Sequence, residues 1–379
     1  MPPDPQRLRI VHVTRTPVSG IFRHILDVAA GQAARGHQVG IVCDSTTGGA
    51  RAEAALSAIA PQMQLGISRF AMAREIGRSD VRAFRAVSRH LAGLNADVHH
   101  GHGAKGGGFV RLMAPQNAIR VYTPHGGSLH YGKHTLRGMV YGTIERFLSR
   151  RTELFLFESA FARDRYADIV GAPRGVVRVV FNGITQAEMV PVVPAADAAD
   201  LVSVGEFRAI KGTDVLIDAL AELHRSGRRL SLAIAGDGEE GPALHAQAAR
   251  LGLTESIRFL GHTPPRAAFA QGRLLVMPSR ADSLPYVAIE AGGAEMPIVA
   301  SNVGGIPEIL GLDGNMVPPE NPARLAAAIA TAIDDPAAAR AAAARLAERI
   351  RAQFSQDAMV EGVLAGYGAA IAAKFTQSH

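Results

Sequence analysis

Cysteine and tryptophan are nearly missing from this sequence, which has one cysteine and no tryptophan among 379 residues. Because the single Cys43 cannot form an intrachain disulfide, the composition is typical of a reducing compartment, and we expect a cytoplasmic protein. We interpret Cys43 as a small buried side chain at a strand end. No apolar run reaches the roughly 18 residues of a membrane-spanning helix. The segment Met1–Arg9 also lacks the apolar stretch of a secretory signal.

Two motifs that bind phosphate-bearing ligands are also missing. The segment Thr14–His24, which follows the first predicted strand, is not a G-x-G-x-x-G fingerprint, so a nicotinamide dehydrogenase is disfavoured. The chain has no Asp-x-Asp motif, which disfavours a metal-held diphosphate, and we expect neither a metal nor a cofactor. His100 and His102 would share one face of a strand beside His99, but no third ligand has suitable spacing. We therefore interpret these histidines as structural or hydrogen-bonding residues.

Charge is divided unequally along the chain. Residues 1–185 contain 24 Lys and Arg against 12 Asp and Glu, a balance of +12, whereas the remainder is at −6. Some of the arginines are spaced as on one helix face, namely Arg74, Arg78, Arg82, Arg85 and Arg89. Such a face is either merely solvated or docks to an anionic membrane or lipid-phosphate acceptor. Nucleic acid is disfavoured, because aromatic residues are few and no reading motif accompanies the arginines.

Apolar strand-like runs alternate with helix-period segments along most of the chain. This pattern predicts an α/β protein with two facing Rossmann-like, doubly wound domains and a ligand in the cleft at the strand carboxyl ends. We expect an N-terminal domain over 1–188, a Pro-containing linker over 189–200 and a C-terminal domain over 201–355. A final amphipathic helix lies within 356–379.

The segment Leu274–Glu290 combines a strand, a short polar loop and a helix predicted to begin near Leu284–Pro285. Ser283 is the predicted N-cap, and the free N–H groups of such a helix start suit a phosphate. Asp282 lies in the loop and Glu290 in the helix, where a carboxylate could accept sugar or ribose hydroxyls. The alternative is that Asp282 only caps the helix and Glu290 is an ordinary surface carboxylate.

Other glycine-bearing loops follow the neighbouring predicted strands. In Val204–Gly212, which includes Gly205, Arg208 and Lys211 could neutralise a diphosphate, although by itself this pair is a weak signal and a solvated turn is the alternative. Gly304–Gly305 follows the next strand, where the backbone could approach a ligand closely. In the first half, His125 ends a strand before two glycines and could hydrogen-bond a substrate hydroxyl.

Taken in order, these segments resemble the family 4 (group 1) glycosyltransferases, which have the two-domain GT-B fold. The resemblance covers nearly the whole chain and is strongest from Val204 to Pro319. The matching segments there are VGEFRAIKG, AGDGEE, FLGH, MPSRADSLPYVAIEAGGAEMPIVASNVGGIPEIL and VPPENP. In the first half SGIFRHILDVAAGQAARGHQV, DVHHGHGAKGG, YTPHGG, FESAFARDRY and FNGI match in the same way.

The resemblance implies a retaining, metal-independent sugar transfer from a nucleotide-diphosphate donor held mostly by the C-terminal domain. Glu290 then matches the glutamate that holds the ribose, and Asp282 matches the acidic residue that approaches the donor sugar. Lys211 matches the lysine that stabilises the departing diphosphate. His125 matches the histidine that contacts the donor sugar, and Gly20 matches the glycine loop near the phosphates. The last helix is expected to cross back onto the N-terminal domain.

The sequence departs from the family pattern at three places. Asp282 replaces a glutamate, and Glu206 stands where an arginine is usual, with Arg208 two positions later. The triplet Ser283–Leu284–Pro285 replaces a Gly-Phe-Gly type turn, and Pro285 removes one N–H donor. The helix start around Leu284 is nevertheless expected to help stabilise the leaving diphosphate.

We therefore expect an enzyme that moves a sugar from a UDP- or GDP-linked donor to a saccharide or lipid-linked acceptor of the cell envelope. Peripheral contact with the inner face of the membrane is expected through the basic N-terminal domain. The departures at Asp282 and Glu206 motivate one alternative, a non-catalytic nucleotide-sugar-binding protein. A sugar-nucleotide epimerase on the same architecture is the other.

Overall fold

A computed structural model describes residues 7–75, 77–113, 117–125 and 136–376. The chain divides into two compact units, Met1–Asn182 with Gln356–His379 and Gly183–Ser355. Each unit is built on a wholly parallel sheet with helices on its faces, so the predicted pair of α/β domains is confirmed.

The described part of the N-terminal unit contains a seven-stranded sheet in the order β3-β2-β1-β4-β5-β6-β7. The strand order reverses between β1 and β4, which places a crevice for ligands at the carboxyl ends of these strands. The strands are β1 (Arg9–Thr14), β2 (Gln38–Asp44), β3 (Gly66–Phe70), β4 (Val98–His102), β5 (Ile119–Thr123), β6 (Leu154–Phe157) and β7 (Val176–Val179). The helices between them are α1 (Ser19–Ala34), α2 (Gly49–Ile59), α3 (Arg78–Gly93), α4 (Gly103–Leu112), α5 (Leu136–Ser149) and α6 (Ala160–Val170).

The C-terminal unit contains a six-stranded sheet in the order β10-β9-β8-β11-β12-β13, which reverses between β8 and β11. Its strands are β8 (Ala199–Val204), β9 (Leu232–Ala235), β10 (Ile257–Gly261), β11 (Gly272–Met277), β12 (Ile298–Ser301) and β13 (Met316–Val317). Its helices are α7 (Thr213–Arg225), α8 (Gly241–Arg250), α9 (Pro265–Phe269), α10 (Tyr286–Gly293), α11 (Ile306–Leu310), α12 (Pro322–Asp334) and α13 (Pro336–Gln353).

The last helix, α14 (Gln356–Thr376), belongs to the N-terminal unit. By length and composition it could cross a membrane, but its side chains Met359, Val363, Tyr367 and Ile371 are buried in the core beneath β5 and β6. Because a spanning helix would expose these groups to lipid, the packing identifies α14 as a core helix.

The observed boundary lies earlier than the one expected from composition. Val192 N–H donates to the carbonyl of Ala294 at 3.0 Å, and Ala195 N–H to that of Ala270 at 2.8 Å. These hydrogen bonds attach the expected linker, 189–200, to the C-terminal unit, and its last two residues already belong to β8.

A buried ion pair holds α4 against α5 in the N-terminal unit. Arg111 makes two hydrogen bonds of 2.8 and 2.9 Å to Glu145, and its guanidinium lies 3.6 Å from the centre of the Tyr122 ring. The neighbouring glutamate carboxylate raises the pKa of Arg111 despite its burial. Both side chains are inaccessible to water, so removing one partner would leave a buried charge.

Candidate active site

The carboxyl edge of the C-terminal sheet brings together the loops that follow β8, β11 and β12. Lys211 lies after β8 and Asp282 after β11, because these strands are neighbours although 71 residues separate the two side chains. Lys211 Nζ donates a hydrogen bond of 2.6 Å to Asp282 Oδ2. Ser279 Oγ lies 3.4 Å from the same oxygen. Two of the predicted site residues therefore meet directly.

Arg280 anchors these two loops and was not singled out from the sequence. Its guanidinium donates to both carboxylate oxygens of Asp214 at 2.8 and 2.6 Å, and to Glu320 at 3.0 Å. Its side chain also donates to the carbonyl of Ala209 at 2.6 Å, and its backbone N–H donates to Ile210 at 2.8 Å. The Arg280 guanidinium lowers the pKa of the Asp214 carboxyl. Because these bonds join the two loops, they fix the separation of Lys211 and Asp282.

Gly304 and Gly305 allow close contact between protein loops. A Cβ on Gly304 would overlap the carbonyl oxygen of Asp282, and a Cβ on Gly305 would overlap that of Ser283. Gly305 N–H donates to the Asp282 carbonyl at 3.1 Å. The structure therefore shows these glycines as supports of the 282–283 backbone.

Gly205 is held in a similar way by the loop after β9. Its N–H donates to the carbonyl of Ala235 at 3.0 Å, and a Cβ on Gly236 would overlap the Gly205 carbonyl. Gly212 has φ +67 and lies against Pro278, so only glycine fits there without strain. The glycines of the quoted motifs thus pack three loops into one edge.

The predicted start of α10 near Leu284–Pro285 agrees with the observed start within two residues, but the predicted N-cap, Ser283, is wrong. The helix begins at Tyr286, its N-cap is Pro285, and Ser283 makes no capping bond. Pro285 is extended, with φ −71 and ψ 125, so the chain enters the helix only after it. Leu284 is buried before the helix and does not belong to its first turn.

Glu290 lies in the second turn of α10 and is buried, with 4% of its surface exposed. The interpretation of Glu290 as an ordinary surface carboxylate is therefore wrong. Burial of a carboxylate is costly unless partners compensate it, which is typical of a residue retained for a specific interaction.

Arg208 has a different environment from Lys211. Half of its side chain is exposed, and its guanidinium lies 3.7 Å from the equally exposed Glu206. The two cations predicted to act together are thus unequal, since Arg208 is paired with the acidic residue that replaces the usual arginine.

In the N-terminal unit, Gly20 is exposed and is the second residue of α1, not part of a separate loop. The helix has no side-chain cap at Val18. The backbone N–H groups of its first turn therefore lie at the carboxyl end of β1, where an anion is favoured.

Five histidines meet at the carboxyl edge of the N-terminal sheet, although only His100 and His102 lie close together in the sequence. The five are His12, His24, His100, His102 and His125. His12 Nδ1 lies 2.9 Å from His102 Nε2, and His102 Nδ1 lies 3.0 Å from His125 Nε2. His99 lies on the same strand as His100 and His102 but makes none of these contacts within the described residues. Successive side chains of a strand point to opposite faces of the sheet, so His99 points away from its two neighbours.

Burial keeps these imidazoles neutral. It lowers the pKa of His12 and of His24 to about 4, and it lowers the pKa of His100, His102 and His125 well below the usual value. A neutral imidazole keeps one lone pair, so the cluster can accept hydrogen bonds or bind a metal.

Other predicted features fall outside both edges. Arg78, Arg82, Arg85 and Arg89 are exposed on α3, whereas Arg74 precedes that helix. Cys43 is buried in β2, and burial raises the pKa of its thiol to about 11, which agrees with a structural role. A cavity of about 620 Å³ between the 310–315 loop and α13 contains none of the predicted site residues.

Comparison with known proteins matches each unit to a family model. Residues 18–188 match the model described as Glycosyltransferase Family 4, and residues 198–335 match the one described as Glycosyl transferases group 1. The glycogen synthase of Mycobacterium tuberculosis is 28% identical over 368 residues, which cover 89% of this chain and 88% of that protein. A D-inositol 3-phosphate glycosyltransferase of Segniliparus rotundus is 32% identical over 177 residues, 44% of this chain and 39% of the relative.

A similar solved structure is that of Anabaena HepE in complex with UDP. It has a TM-score of 0.77 and 18% identity, and the match covers 96% of this chain and 100% of HepE. The two family matches agree with this fold, and so does the order of the loops at the carboxyl edges of the two sheets. The chain belongs to the family 4 (group 1) glycosyltransferases of the GT-B fold.

Proposed function

We propose that this glycosyltransferase moves a hexose from a UDP- or GDP-linked donor to a saccharide or lipid-linked acceptor of the cell envelope, with retention of configuration. The observation that carries the proposal is the contact between Lys211 and Asp282 at the carboxyl edge of the C-terminal sheet. A cation held there by a carboxylate, close to the start of α10, provides the charge that a leaving diphosphate needs.

The donor is proposed to bind across the loops after β8, β11 and β12. Glu290, buried on α10, would accept the two ribose hydroxyls, and Asp282 would accept a hydroxyl of the donor sugar. When the donor binds, Lys211 would donate some of its hydrogen bonds to the diphosphate instead of to Asp282. Backbone N–H groups at the start of α10 would support the same phosphates, although Pro285 supplies none.

The proposed reaction needs no dedicated base and no metal at the diphosphate. The bond from the anomeric carbon to the phosphate oxygen breaks as the acceptor oxygen bonds to the same face of the sugar. The proton of the acceptor hydroxyl passes to the departing phosphate oxygen. Lys211 contributes most while negative charge develops on the diphosphate, whereas the half-exposed Arg208 contributes less because water screens it.

The acceptor is proposed to reach the N-terminal unit from an anionic surface. Arg78, Arg82, Arg85 and Arg89 are exposed along α3, and none of them pairs with an acidic side chain among the described residues. An unpaired arginine face attracts acidic lipid headgroups by about 1 kcal/mol per cation. This position corresponds to a cytoplasmic enzyme at the inner face of the membrane.

A donor screen followed by two matched variants tests the proposal. One UDP- or GDP-sugar is expected to raise the melting temperature of the wild-type protein and to be hydrolysed or transferred. Lys211→Met, which keeps the apolar stem, should lower kcat by about 10²–10³, as loss of a transition-state donor does. Arg208→Met should lower it by less than about tenfold, because that side chain is screened by solvent.

Glu290→Gln separates binding from chemistry. We expect it to raise the KM for the donor more than it lowers kcat, because it removes charge from the ribose contact. Donor binding without any turnover would favour the non-catalytic alternative. Absence of binding by every UDP- and GDP-sugar would refute the proposal.

A further inference from the structure

The hydrogen bonds of the histidine cluster define which ring nitrogen of each residue keeps its lone pair. His24 Nδ1 lies 3.0 Å from Asn182 Oδ1, which can only accept, so His24 carries its proton on Nδ1. The lone pair is then on His24 Nε2. This nitrogen is buried and has no hydrogen-bond partner among the described residues. An unsatisfied buried acceptor costs about 1–3 kcal/mol, which a bound ligand would recover.

The same reasoning applies along the series of side-chain hydrogen bonds that leads from Gln32 through His12 to His102. Gln32 Oε1 accepts from His12 Nε2 at 2.8 Å, so His12 Nδ1 keeps the lone pair. That lone pair accepts from His102 Nε2 at 2.9 Å. The remaining nitrogen, His102 Nδ1, therefore has a lone pair as well.

His125 completes the arrangement from the other side. Its Nδ1 lies 3.4 Å from Glu158 Oε2. This contact is electrostatic and is not a hydrogen bond, and a carboxylate at this position favours a proton on Nδ1 and a lone pair on Nε2. His125 Nε2 and His102 Nδ1 are 3.0 Å apart. Two lone pairs at this distance repel each other unless a proton or a metal ion lies between them.

We propose that His24, His102 and His125 form a binding site for a divalent transition-metal ion, with Zn²⁺ as the ion that fits best. One ring nitrogen of each residue lies within 4.8 Å of one from each of the others. Zn–N bonds of about 2.0–2.1 Å in tetrahedral geometry require nitrogens about 3.4 Å apart. To enclose the ion, the three nitrogens must adopt about this separation, and the ion would then lie between the facing lone pairs of His102 and His125.

The second nitrogen of two of the proposed ligands is already held by a hydrogen bond. Asn182 orients His24 and His12 orients His102, whereas Glu158 faces His125 Nδ1 at 3.4 Å. Partners of this kind fix the tautomer and the ring direction in metal sites. Three imidazoles leave a fourth position open for water or another ligand, as in zinc sites with three protein ligands.

A second group of close histidines, His12, His100 and His102, is less suited to a metal. Both nitrogens of His12 are hydrogen-bonded, and those of His100 lie 2.8 Å from Tyr367 Oη and 2.8 Å from Thr123 Oγ1. A metal there would have to break these bonds. The structural interpretation drawn from the sequence therefore holds for His100, whereas His102 is proposed as a ligand.

The proposal is independent of the proposed function, because it concerns the N-terminal unit and requires no sugar transfer. Full-length protein without a histidine tag is stripped with a chelator and titrated with Zn²⁺ by calorimetry. Co²⁺ serves as a second probe, whose visible absorption bands report tetrahedral coordination. One ion per chain is expected for both metals.

Matched variants identify the ligands. His24→Asn and His125→Asn should weaken Zn²⁺ binding by at least about 100-fold, and Asn182→Ala by about 10–100-fold, because it loosens the orientation of His24. Asparagine suits position 125, where φ is +51. His99→Asn is the control, since His99 is equally buried but outside the cluster, and its affinity should not change.

If a variant does not fold, the proposal can still be tested by X-ray absorption at the zinc edge of the wild-type complex. Three imidazole nitrogens bound to zinc are expected. The proposal is refuted if the wild-type protein binds no ion, if binding is unchanged in folded His24→Asn and His125→Asn proteins, or if fewer than three imidazoles surround the zinc.

Discussion

Mild acid is expected to destabilise the N-terminal unit, because its buried histidines resist protonation. Burial lowers the pKa of His12, His24 and His99 to about 4. In the unfolded chain the same groups titrate near pH 6.5. The folded pKa is thus below the unfolded one, so stability is complete above about pH 6.5 and is lost as the pH falls towards about 4.

The size of the effect follows from the pKa differences. Each group that protonates only on unfolding removes about 1.4 kcal/mol per pH unit, or about 3 kcal/mol over the whole interval. Three such groups together remove on the order of 10 kcal/mol, which is comparable with the entire stability of a domain at about 5–15 kcal/mol. The lowered pKa values of His100, His102 and His125 act in the same direction.

Hydrogen exchange with mass spectrometry can measure this loss for each unit separately. The metal-free protein, kept in chelator, is compared in urea at about pH 7.5, 6 and 5, and the N-terminal unit should lose its protection first. In His99→Asn the number of protons that the protein takes up on unfolding in acid should fall by about one, because asparagine does not titrate. A free energy of unfolding that stays constant or rises from about pH 7 to about pH 5 would refute the reasoning.

Three further outcomes follow from the same structure. Arg111→Met should cost about 3–5 kcal/mol in urea unfolding, because it leaves Glu145 buried without its cation; a change under about 1 kcal/mol would contradict this. Replacing Arg82 and Arg85 by glutamine should weaken sedimentation with anionic vesicles, and added salt should weaken it further; binding that ignores both changes would exclude an electrostatic contact. Zn²⁺ should lower sugar transfer and a chelator should restore it, because the family resemblance assigns His125 to the donor sugar; unchanged turnover in zinc-loaded protein would contradict that assignment.

Most of the fold could be predicted from the alternation of apolar and helical segments. The apolar runs Ile10–Thr14, Val98–Gly101, Leu154–Phe157 and Leu274–Met277 predict strands, and the observed β1, β4, β6 and β11 agree with these bounds within two residues. β3, Gly66–Phe70, was not expected, because it is an edge strand with partly exposed side chains and an interior arginine. β13 was also missed, since its two residues carry no periodic signal.

The candidate site was predicted as a set of loops but not as a set of contacts. The pairing of Lys211 with Asp282 depends on β8 lying beside β11, and strand order cannot be obtained from local sequence patterns. Arg280 was not predicted for a related reason, because its partner Asp214 lies on another element. The sequence signal available was its position between the strand end and Asp282.

The histidine cluster shows the same dependence on strand order. Sequence spacing alone makes His100 and His102, which lie on one strand, candidate metal ligands, but it offers no third ligand. β1 pairs with β4 in register, so His12 lies opposite His100, and α1 carries His24 over the same edge. His125 arrives from the end of β5, the neighbour of β4 on its other side. A histidine at or just after each of several strand carboxyl ends was the available signal.

The two sheet edges differ in charge in a way that assigns them different partners. The C-terminal edge places Lys211 against one carboxylate, so a diphosphate with greater negative charge can compete for that cation. The histidine cluster at the N-terminal edge consists of neutral, buried imidazoles, which offer lone pairs but no positive charge. This cluster favours a hydroxyl or a transition-metal cation over a phosphate, whereas the start of α1 is the part of the same edge that suits an anion. We therefore assign the proposed diphosphate to the C-terminal edge and the proposed metal ion to the histidine cluster of the N-terminal edge.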